Sequence, residues 1–325
     1  MKRAIVLAFE NCLTSSVVGI LDMLSVCDYL LSGNDSDEPM FTTSIAASSL
    51  ATISGFNALP IQPTMTIQDE LDADIIIVPP IMCDFEGVIN NNRELVSWLT
   101  LQHSSGAIVC SVCSGIFFLA EAGLLNGYKA TTNPLLKNLV ASQYPKIDLN
   151  VDKLVVDQGS LITSGTTYAF VDLIIYLLEK YYGSEVARNA SKLFLHDKNR
   201  HSQASYLVPP LKHQHNNDEI LQVQQWLGLN FHSSFSIASL ADRCNMSLRN
   251  FSRKFQEATG ETPTAYIHFL RVESAKNSLE NSNKSVSEIV YDIGYSDQKS
   301  FSRLFKRHTN LTPSEYRKRF LFRQF

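Results

Sequence analysis

One cysteine lies where the local sequence predicts a reactive geometry. Residues 111–115 read SVCSG, directly after an apolar run and directly before the helix-like stretch IFFLAEAGLL. This pattern is typical of a nucleophile elbow, a sharp strand-to-helix turn that exposes the central side chain at a helix N-terminus. The helix dipole at that position favours the thiolate form of Cys113. A cysteine that only fills a crowded turn is the alternative, and the local pattern alone favours neither.

Two other groups of residues have a spacing that could support chemistry. Cys110 and Cys113 have the C-x-x-C spacing of a redox pair, but Cys110 lies inside an apolar strand-like run, which disfavours a thioredoxin-like role. Four histidines cluster near a polar segment without the carboxylate or cysteine neighbours of a zinc site. They are His196, His201, His213 and His215. We therefore predict no metal site and no cofactor.

The elements that must position Cys113 alternate along the first two thirds of the chain. The predicted strands are RAIVLAF (3–9), FTTSIAAS (41–48), DIIIVP (74–79) and GAIVCSV (106–112). The predicted helices lie near 17–30, 88–103, 114–122, 168–181 and 184–195. Buried strands that alternate with helices predict an α/β sandwich with a mostly parallel, flavodoxin-like sheet. Ligands bind such sheets at the carboxyl ends of the strands, where Cys113 falls.

Composition divides the chain into three parts. Segment 202–219 has two prolines and no apolar period, which predicts a linker. We predict an α/β domain at 1–200, a linker at 201–218 and an all-helical domain at 219–325. The net charge is −4, but residues 219–325 hold 15 Lys and Arg against 10 Asp and Glu. A basic terminal third on an acidic body favours a phosphate-bearing partner for that third.

The start of the chain and the cysteines indicate the compartment. Six apolar residues follow MKR before Glu10 interrupts them, which is shorter than a secretory core. No run approaches the roughly 18 apolar residues of a membrane span. The six cysteines show no disulfide framework pattern. We predict reduced thiols, a cytoplasmic location and no membrane partner.

The helical third contains one pattern twice. Residues 251–266 read FSRKFQEATGETPTAY and residues 301–316 read FSRLFKRHTNLTPSEY, with eight of sixteen positions identical. In each copy two Phe residues four apart share one helix face, while basic and polar residues point the other way. Ser247 and Asp297 stand where an N-cap is expected. In TPxxY the Thr caps the next helix and the Pro takes its first turn.

A short helix and a tight turn precede each copy. They are IASLADR (237–243) before CNM, and VSEIVYD (286–292) before a turn that contains Gly294. Short helix, turn and basic second helix predict two helix-turn-helix units, joined by a long helix at 263–280. Hairpins that only pack are the alternative, and the repeated caps and basic faces disfavour it. The predicted DNA-contacting residues are Arg249, Asn250, Arg253, Gln298, Lys299 and Arg303.

About 100 residues of this third resemble the AraC/XylS family of transcription regulators. Gly294-Tyr295-Ser296-Asp297 and Phe301-x-x-x-Phe305 resemble the signature around the family's second unit. The resemblance implies double-stranded promoter or operator DNA and RNA polymerase as partners, and activation as the output. Two recognition helices would enter successive major grooves about 34 Å apart.

Residues 3–195 resemble the PfpI-like, class I amidotransferase-like domain found in GlxA-type regulators. SVCSGIFFLAEAGLLNGYKATT (111–132) and LITSGTTYAFVDLIIYLLEKYYG (161–183) carry that resemblance. The resemblance implies a homodimer held by this domain and a small-molecule effector, either an amino acid or a quaternary amine.

The chain departs from the enzymes of this fold at its partner residues. Where a His usually follows the ATT stretch stands Asn133, which cannot act as a general base near neutral pH. Ser16 stands where a carboxylate is usual, unless Glu10 replaces it. Pro80 removes a backbone donor that could serve an oxyanion. We therefore predict no catalysis.

Together these patterns predict a DNA-binding transcriptional regulator with a non-catalytic sensing domain. One alternative is a Cys-dependent amidase or hydrolase of the PfpI-like fold, and another is a thiol redox-sensing regulator. The predicted ligand-binding residues are Cys113, Ser114, Ser16, Asn133, Thr163, Gly165, Thr166 and Tyr168.

Overall fold

The chain forms two compact units, Met1–Gln203 and Ala204–Phe325. The structure is a computed structural model that describes residues 1–31, 39–69, 72–197, 200, 202–206 and 215–321. The division between the units falls inside the predicted linker 201–218, of which residues 201 and 207–214 lie outside the described residues. Within those ranges, no helix has the length and apolar character needed to cross a membrane.

The first unit is built on short strands, most of them buried. Its described residues form eleven: β1 (Lys2–Leu7), β2 (Phe41–Ala47), β3 (Ile53–Ser54), β4 (Pro60–Ile61), β5 (Met65–Thr66), β6 (Ile75–Val78), β7 (Ile108–Val112), β8 (Lys129–Ala130), β9 (Asp148–Leu149), β10 (Val155–Asp157) and β11 (Leu161–Ser164). Seven of these form the main sheet in the order β10–β11–β7–β6–β1–β2–β5. All neighbours in it are parallel except β10 and β11, which confirms the predicted mostly parallel sheet.

Helices cover this sheet on both faces. They are α1 (Thr14–Leu31), α2 (Phe85–Asn91), α3 (Arg93–Ser104), α4 (Ile116–Glu121), α5 (Lys137–Gln143) and α6 (Phe170–Leu193). The strand order reverses at β1, and crossovers between parallel strands are right-handed, so helices before and after the reversal lie on opposite faces. The carboxyl ends of β1, β6, β7 and β11 therefore meet at one edge of the sheet, which is where this fold class binds ligands.

The structure confirms one predicted break between helices and adds a second break that was not predicted. The single helix expected at 88–103 was wrong, because it is two helices that meet at Asn92. Asn92 has non-helical φ −127° and ψ 35°, and its side-chain Nδ2 donates to the Val88 carbonyl at 2.7 Å. The break expected between 181 and 184 is present as a kink in α6 at Gly183, where φ is 88°.

The second unit is helical throughout its described residues, as predicted. Its helices are α7 (Asp218–Asn230), α8 (Ile237–Arg243), α9 (Leu248–Thr259), α10 (Pro263–Asn281), α11 (Val286–Asp292), α12 (Gln298–Thr309) and α13 (Pro313–Phe320). Its buried apolar residues form two clusters, one around Phe251 and Phe255 and the other around Phe301 and Phe305. Each copy of the repeated pattern thus has a small core of its own.

Candidate functional site

The residues shared by the two copies build the same object twice. Phe251 and Phe255 are fully buried, with ring centroids 5.6 Å apart, and Phe255 meets Tyr266 edge-on at 5.3 Å. In the second copy the two corresponding distances are again 5.6 Å and 5.3 Å. Thr259 Oγ1 donates to the Phe255 carbonyl at 2.7 Å, and its repeat equivalent does the same at 2.9 Å. These contacts fix the direction in which α9 and α12 leave their turns.

The predicted caps that begin these helices are confirmed. Ser247 accepts from the Asn250 amide at the start of α9, and Asp297 accepts from two amides at the start of α12. The residue Thr312 forms a reciprocal capping box with Glu315 before α13. Such caps satisfy amides that the helix leaves unpaired, so each helix begins at a defined residue.

The turns between the paired helices need left-handed backbone in both copies. Asn245 has φ 51° and Gly294 has φ 84°. At Gly294 a side chain would also collide with the His232 carbonyl, because an added Cβ would lie 2.2 Å from that oxygen. The expected role of Gly294 is confirmed, and the same bend in the first copy is made by an asparagine, which tolerates this conformation better than most residues.

The faces of α9 and α12 opposite the phenylalanines carry the six predicted DNA-contacting residues. Five are exposed and one is half-buried: Arg249, Arg253, Gln298, Lys299 and Arg303 are exposed, and Asn250 is half-buried. Their contact with DNA stays a prediction. The two faces differ in charge, because α9 has three Lys and Arg and one Glu whereas α12 has four Lys and Arg and no carboxylate.

The Cys113 turn has the backbone of an elbow. Cys113 follows β7 directly, begins a 3-10 turn that leads into α4, and has φ 54°, which is rare for a residue with a side chain. Gly115 approaches β6 so closely that an added Cβ would lie 2.5 Å from the Val78 carbonyl oxygen and 2.8 Å from that of Pro79. Glycine is therefore required at that position, and the strand end presents acceptors there instead of the donors an oxyanion needs.

Burial distinguishes the two alternatives that the sequence left open for Cys113. The residue is 5% exposed, which favours a cysteine that fills a crowded turn over an exposed nucleophile. Burial raises the pKa of the Cys113 thiol above its ordinary value, and the neighbouring polar groups of Ser114, Thr167 and Asn133 offset this only in part. The thiol form thus predominates at neutral pH, and the thiolate that the elbow alternative requires is not supported.

The residues nearest Cys113 come from two loops. Asn133 lies close enough to affect the thiol, but its side-chain oxygen also accepts from the Leu135 amide at 3.0 Å and so caps a short turn. Thr132 Oγ1 donates to the Cys113 carbonyl at 2.7 Å. Thr167, on the loop after β11, was not among the predicted residues, although it directly follows one of them. The sequence therefore predicted which two loops lie beside Cys113.

Three other predicted ligand-binding residues are occupied or enclosed. Ser114 Oγ donates to the Ile81 carbonyl at 2.6 Å, and Thr163 Oγ1 accepts from the Thr131 amide at 2.8 Å. Ser16 is fully buried in the first turn of α1, and its Oγ has no hydrogen-bond partner within the described chain. These side chains support the walls of the turn, whereas Tyr168, which is 63% exposed, lies at the surface.

Gln203 holds the two loops together, although the sequence placed it in a solvated linker. Its side chain is 1% exposed, and its Oε1 accepts from the Thr166 amide at 3.0 Å. Its Nε2 donates to the carbonyls of Thr132 at 2.9 Å and Val151 at 2.6 Å. The packing leaves no room for a side chain at Gly165, where an added Cβ would lie 2.2 Å from Gln203 Oε1. Gly165 therefore packs against the Gln203 side chain.

The remaining chemical groups have structural partners. His196 Nε2 lies 3.0 Å from an Asp172 carboxylate oxygen, so the expectation that this histidine lacks a carboxylate neighbour was wrong. His215 contacts the Gln224 side chain at 2.7 Å, whereas His201 and His213 lie outside the described residues. No cluster of three or more metal-binding side chains occurs in the described part of the chain.

Two family models match the chain, one in each unit. The DJ-1/PfpI family matches residues 22–180, and a helix-turn-helix domain matches residues 240–319. The chain joins a DJ-1/PfpI domain to an AraC-type helix-turn-helix domain. Both resemblances read from the sequence are confirmed, as is the fold class.

Curated relatives match either most of the chain or about a third of it. The HTH-type transcriptional regulator GbdR of Pseudomonas aeruginosa is 25% identical over 264 residues, which cover 80% of this chain and 70% of that protein. The HTH-type transcriptional activator RhaS of Citrobacter koseri is 37% identical over 103 residues, which cover 31% of this chain and 37% of that protein. These relatives are named as regulators, while the DJ-1/PfpI fold also includes enzymes.

A solved structure shares the fold. The crystal structure of an AraC family transcriptional regulator from Pseudomonas putida matches with a TM-score of 0.51 at 15% identity, and covers 60% of this chain and 100% of that chain. At this identity the match shows the fold alone.

Proposed function

We propose that this protein is a DNA-binding transcriptional regulator. The observation that carries the proposal is the pair of repeat-related helices α9 and α12, each begun by a cap, backed by a Phe pair and basic on its exposed face. One polypeptide with two such helices suits duplex DNA, because successive major-groove segments on one face lie about 34 Å apart. The names of the relatives support the same function.

Selection from a pool of random duplexes tests this function with the full-length protein. We expect an enriched sequence, a footprint with two protected segments about one helical turn apart, and affinity that falls steeply with salt. If the protein enriches no sequence, or if its weak affinity for DNA does not change with salt concentration, it is not a regulator of this kind.

We further propose that the DJ-1/PfpI domain is not an enzyme. Cys113 is buried, its pKa is raised, and Asn133 stands where the fold's enzymes have a base. Burial also raises the pKa of Cys110, which does not support a redox pair. Purified protein should therefore hydrolyse amides and peptides no faster than its Cys113→Ser variant. Turnover that depends on Cys113 would contradict this and favour the amidase reading.

The proposed signal is a small effector bound at the loops beside Cys113. Thr166 and Tyr168 are accessible there, and both loops contact Gln203, the last residue before the second unit. The effector class, an amino acid or a quaternary amine, comes from the family resemblance. In cells that carry a reporter gene, Tyr168→Ala and Thr166→Trp should abolish induction and leave basal DNA binding intact. Unchanged induction in both variants would place the effector elsewhere.

The proposed regulator is a cytoplasmic homodimer that activates transcription through RNA polymerase. The dimer would be held by the DJ-1/PfpI domain and would bind a site with repeated halves. Light scattering of the full-length protein at micromolar concentration should give twice the mass of the chain. A monomer with a single unrepeated footprint would contradict the dimer without affecting DNA binding itself.

A further inference from the structure

The proposed DNA-binding helices α9 and α12 differ at one pair of repeat-related positions. This difference changes the residue next to an arginine that both helices carry. Arg253 and Arg303 are identical between the copies. One turn further on, α9 has Glu257 whereas α12 has Arg307. At this spacing along a helix, the shared arginine has a carboxylate one turn away in the first copy and a second guanidinium one turn away in the other.

Arg253 is held by its neighbours on α9. Its Nη1 donates to both Glu257 carboxylate oxygens, at 2.8 Å and 2.9 Å, and its Nη2 donates to Asn250 Oδ1 at 3.0 Å. The Arg253 and Glu257 side chains are 59% and 60% exposed, so the guanidinium is oriented while it remains open to solvent. By contrast, Arg303 Nη2 donates to the uncharged Ser300 Oγ at 3.3 Å. The pKa of the Asp297 carboxyl at the start of α12 is lowered mainly by its hydrogen bonds to Ser300 and, to a smaller extent, by the charge of Arg303.

The two arrangements suit different contacts with DNA. Arginine reads guanine through two parallel hydrogen bonds from one planar fork, and a guanidinium that is already oriented loses less freedom when it binds. A carboxylate beside that fork repels phosphate, so Arg253 is poorly placed for general attraction to the DNA backbone. The cations of α12, with no carboxylate on that helix, are suited to phosphate.

We infer that Glu257 is a positioning residue that holds Arg253 for recognition of a base edge, with guanine as the favoured base, while α12 supplies most of the sequence-independent attraction. This inference rests on the proposed DNA-binding function. It assigns unequal roles to two helices that pack on equivalent cores.

The test compares the full-length wild type with Glu257→Ala and with Arg307→Ala, its matched variant at the equivalent position of the other copy. Fluorescence anisotropy would measure each protein on the duplex that the wild type selects and on a scrambled duplex. We expect Glu257→Ala to bind the scrambled duplex about fivefold more tightly, because one repelling charge is gone. Its preference for the selected duplex should fall about tenfold. Arg307→Ala should weaken both duplexes about equally.

The outcomes separate this inference from the function on which it rests. A wild type that enriches no sequence overturns both. A wild type with a clear preference that Glu257→Ala retains overturns the positioning role alone, as does an equal loss of preference in Arg307→Ala. Thermal unfolding of both variants should match the wild type because the altered side chains are exposed. A change in preference without a change in unfolding therefore separates positioning from a structural role.

Discussion

Gly165 and Gln203 offer a direct test of what holds the loops beside Cys113. A Cβ built at Gly165 would lie 2.2 Å from Gln203 Oε1 and 2.7 Å from its Cδ. The Gly165 backbone does not require a positive φ, so the Gln203 side chain is the obstacle to an alanine. We predict that Gly165→Ala is strongly destabilising in the wild type and nearly neutral when Gln203 is already Ala.

The magnitude follows from the hydrogen bonds that the displaced amide gives up. Gln203 is 1% exposed, and its side chain pairs with the Thr166 amide and with the carbonyls of Thr132 and Val151. Leaving a buried polar group unpaired costs about 1–3 kcal/mol. Two of the three bonds are only partly buried, so water can replace them, and we expect a loss of about 2–4 kcal/mol. In the Gln203→Ala background the same change should cost less than about 1 kcal/mol.

The chain has two tryptophans, which provide a reporter for each unit. Trp98 lies in α3 of the first unit and Trp226 in α7 of the second. A Trp226→Phe background therefore leaves Trp98 fluorescence to follow urea unfolding of the first unit. Gln143→Ala, at an exposed glutamine, is the matched control and should change the free energy of unfolding by less than about 0.5 kcal/mol.

The four proteins of the cycle decide the question together. If Gly165→Ala costs the same with and without Gln203, the two changes are additive and the contact does not hold the loops. If Gly165→Ala is neutral in the wild type, the close approach of Gln203 is itself wrong.

The remaining predictions concern DNA, thiol chemistry and folding of the second unit. Arg249→Ala should weaken binding to the selected duplex by about 1–3 kcal/mol if Arg249 reads a base. Arg303→Ala should weaken binding to the selected and scrambled duplexes about equally if α12 supplies the sequence-independent attraction. Anisotropy would measure both variants, and full affinity in both would reject the two residues as contacts. At pH 7 iodoacetamide should modify exposed Cys83 and spare Cys113, because a raised pKa keeps the latter protonated until the pH rises. Mass spectrometry would reveal early Cys113 labelling, which would contradict that burial. Gly294→Ala should lower the free energy of unfolding of the second unit by about 2 kcal/mol or more, because φ is 84° there and the added Cβ would collide with a carbonyl oxygen. Urea unfolding would measure this change, and wild-type stability would contradict the need for glycine in this turn.

The helical unit was predictable to the level of single residues because its signals are local. A cap such as Thr312, a Pro in the next position and a Phe pair four apart act within one or two turns of chain. Because the pattern occurs twice, each of these signals is present at two places in the chain. The split at Asn92 was missed although the sequence carries a signal there, because residues 90–94 read NNNRE and interrupt the apolar pattern with asparagines.

The surroundings of Cys113 were predictable only in part, because they depend on residues distant in sequence. The strand–turn–helix pattern gave the elbow, and the φ of Cys113 agrees with it. Its burial could not be read from residues 111–115, since burial depends on the loops that pack over the thiol. Gln203 was missed for a similar reason. A polar side chain in a proline-containing segment indicates solvent, and only the tertiary structure supplies its three hydrogen-bond partners.

Comparison of the two copies distinguishes positions that the fold constrains from positions that can vary without changing the fold. Most identical positions are buried or capping: the two Phe residues, Thr259, Thr262, the Pro and the Tyr pack or cap in the same way in both. Several differences fall on positions that are exposed in both copies, such as Gln256 against Lys306 and Glu257 against Arg307, while Leu304 is buried where the first copy has the half-buried Lys254. The equivalent cores therefore restrain the angle of α9 and α12 more than their surface chemistry. Under the proposed function, the two segments read by one chain are then expected to differ in sequence, and any repeat within the site reflects a second chain.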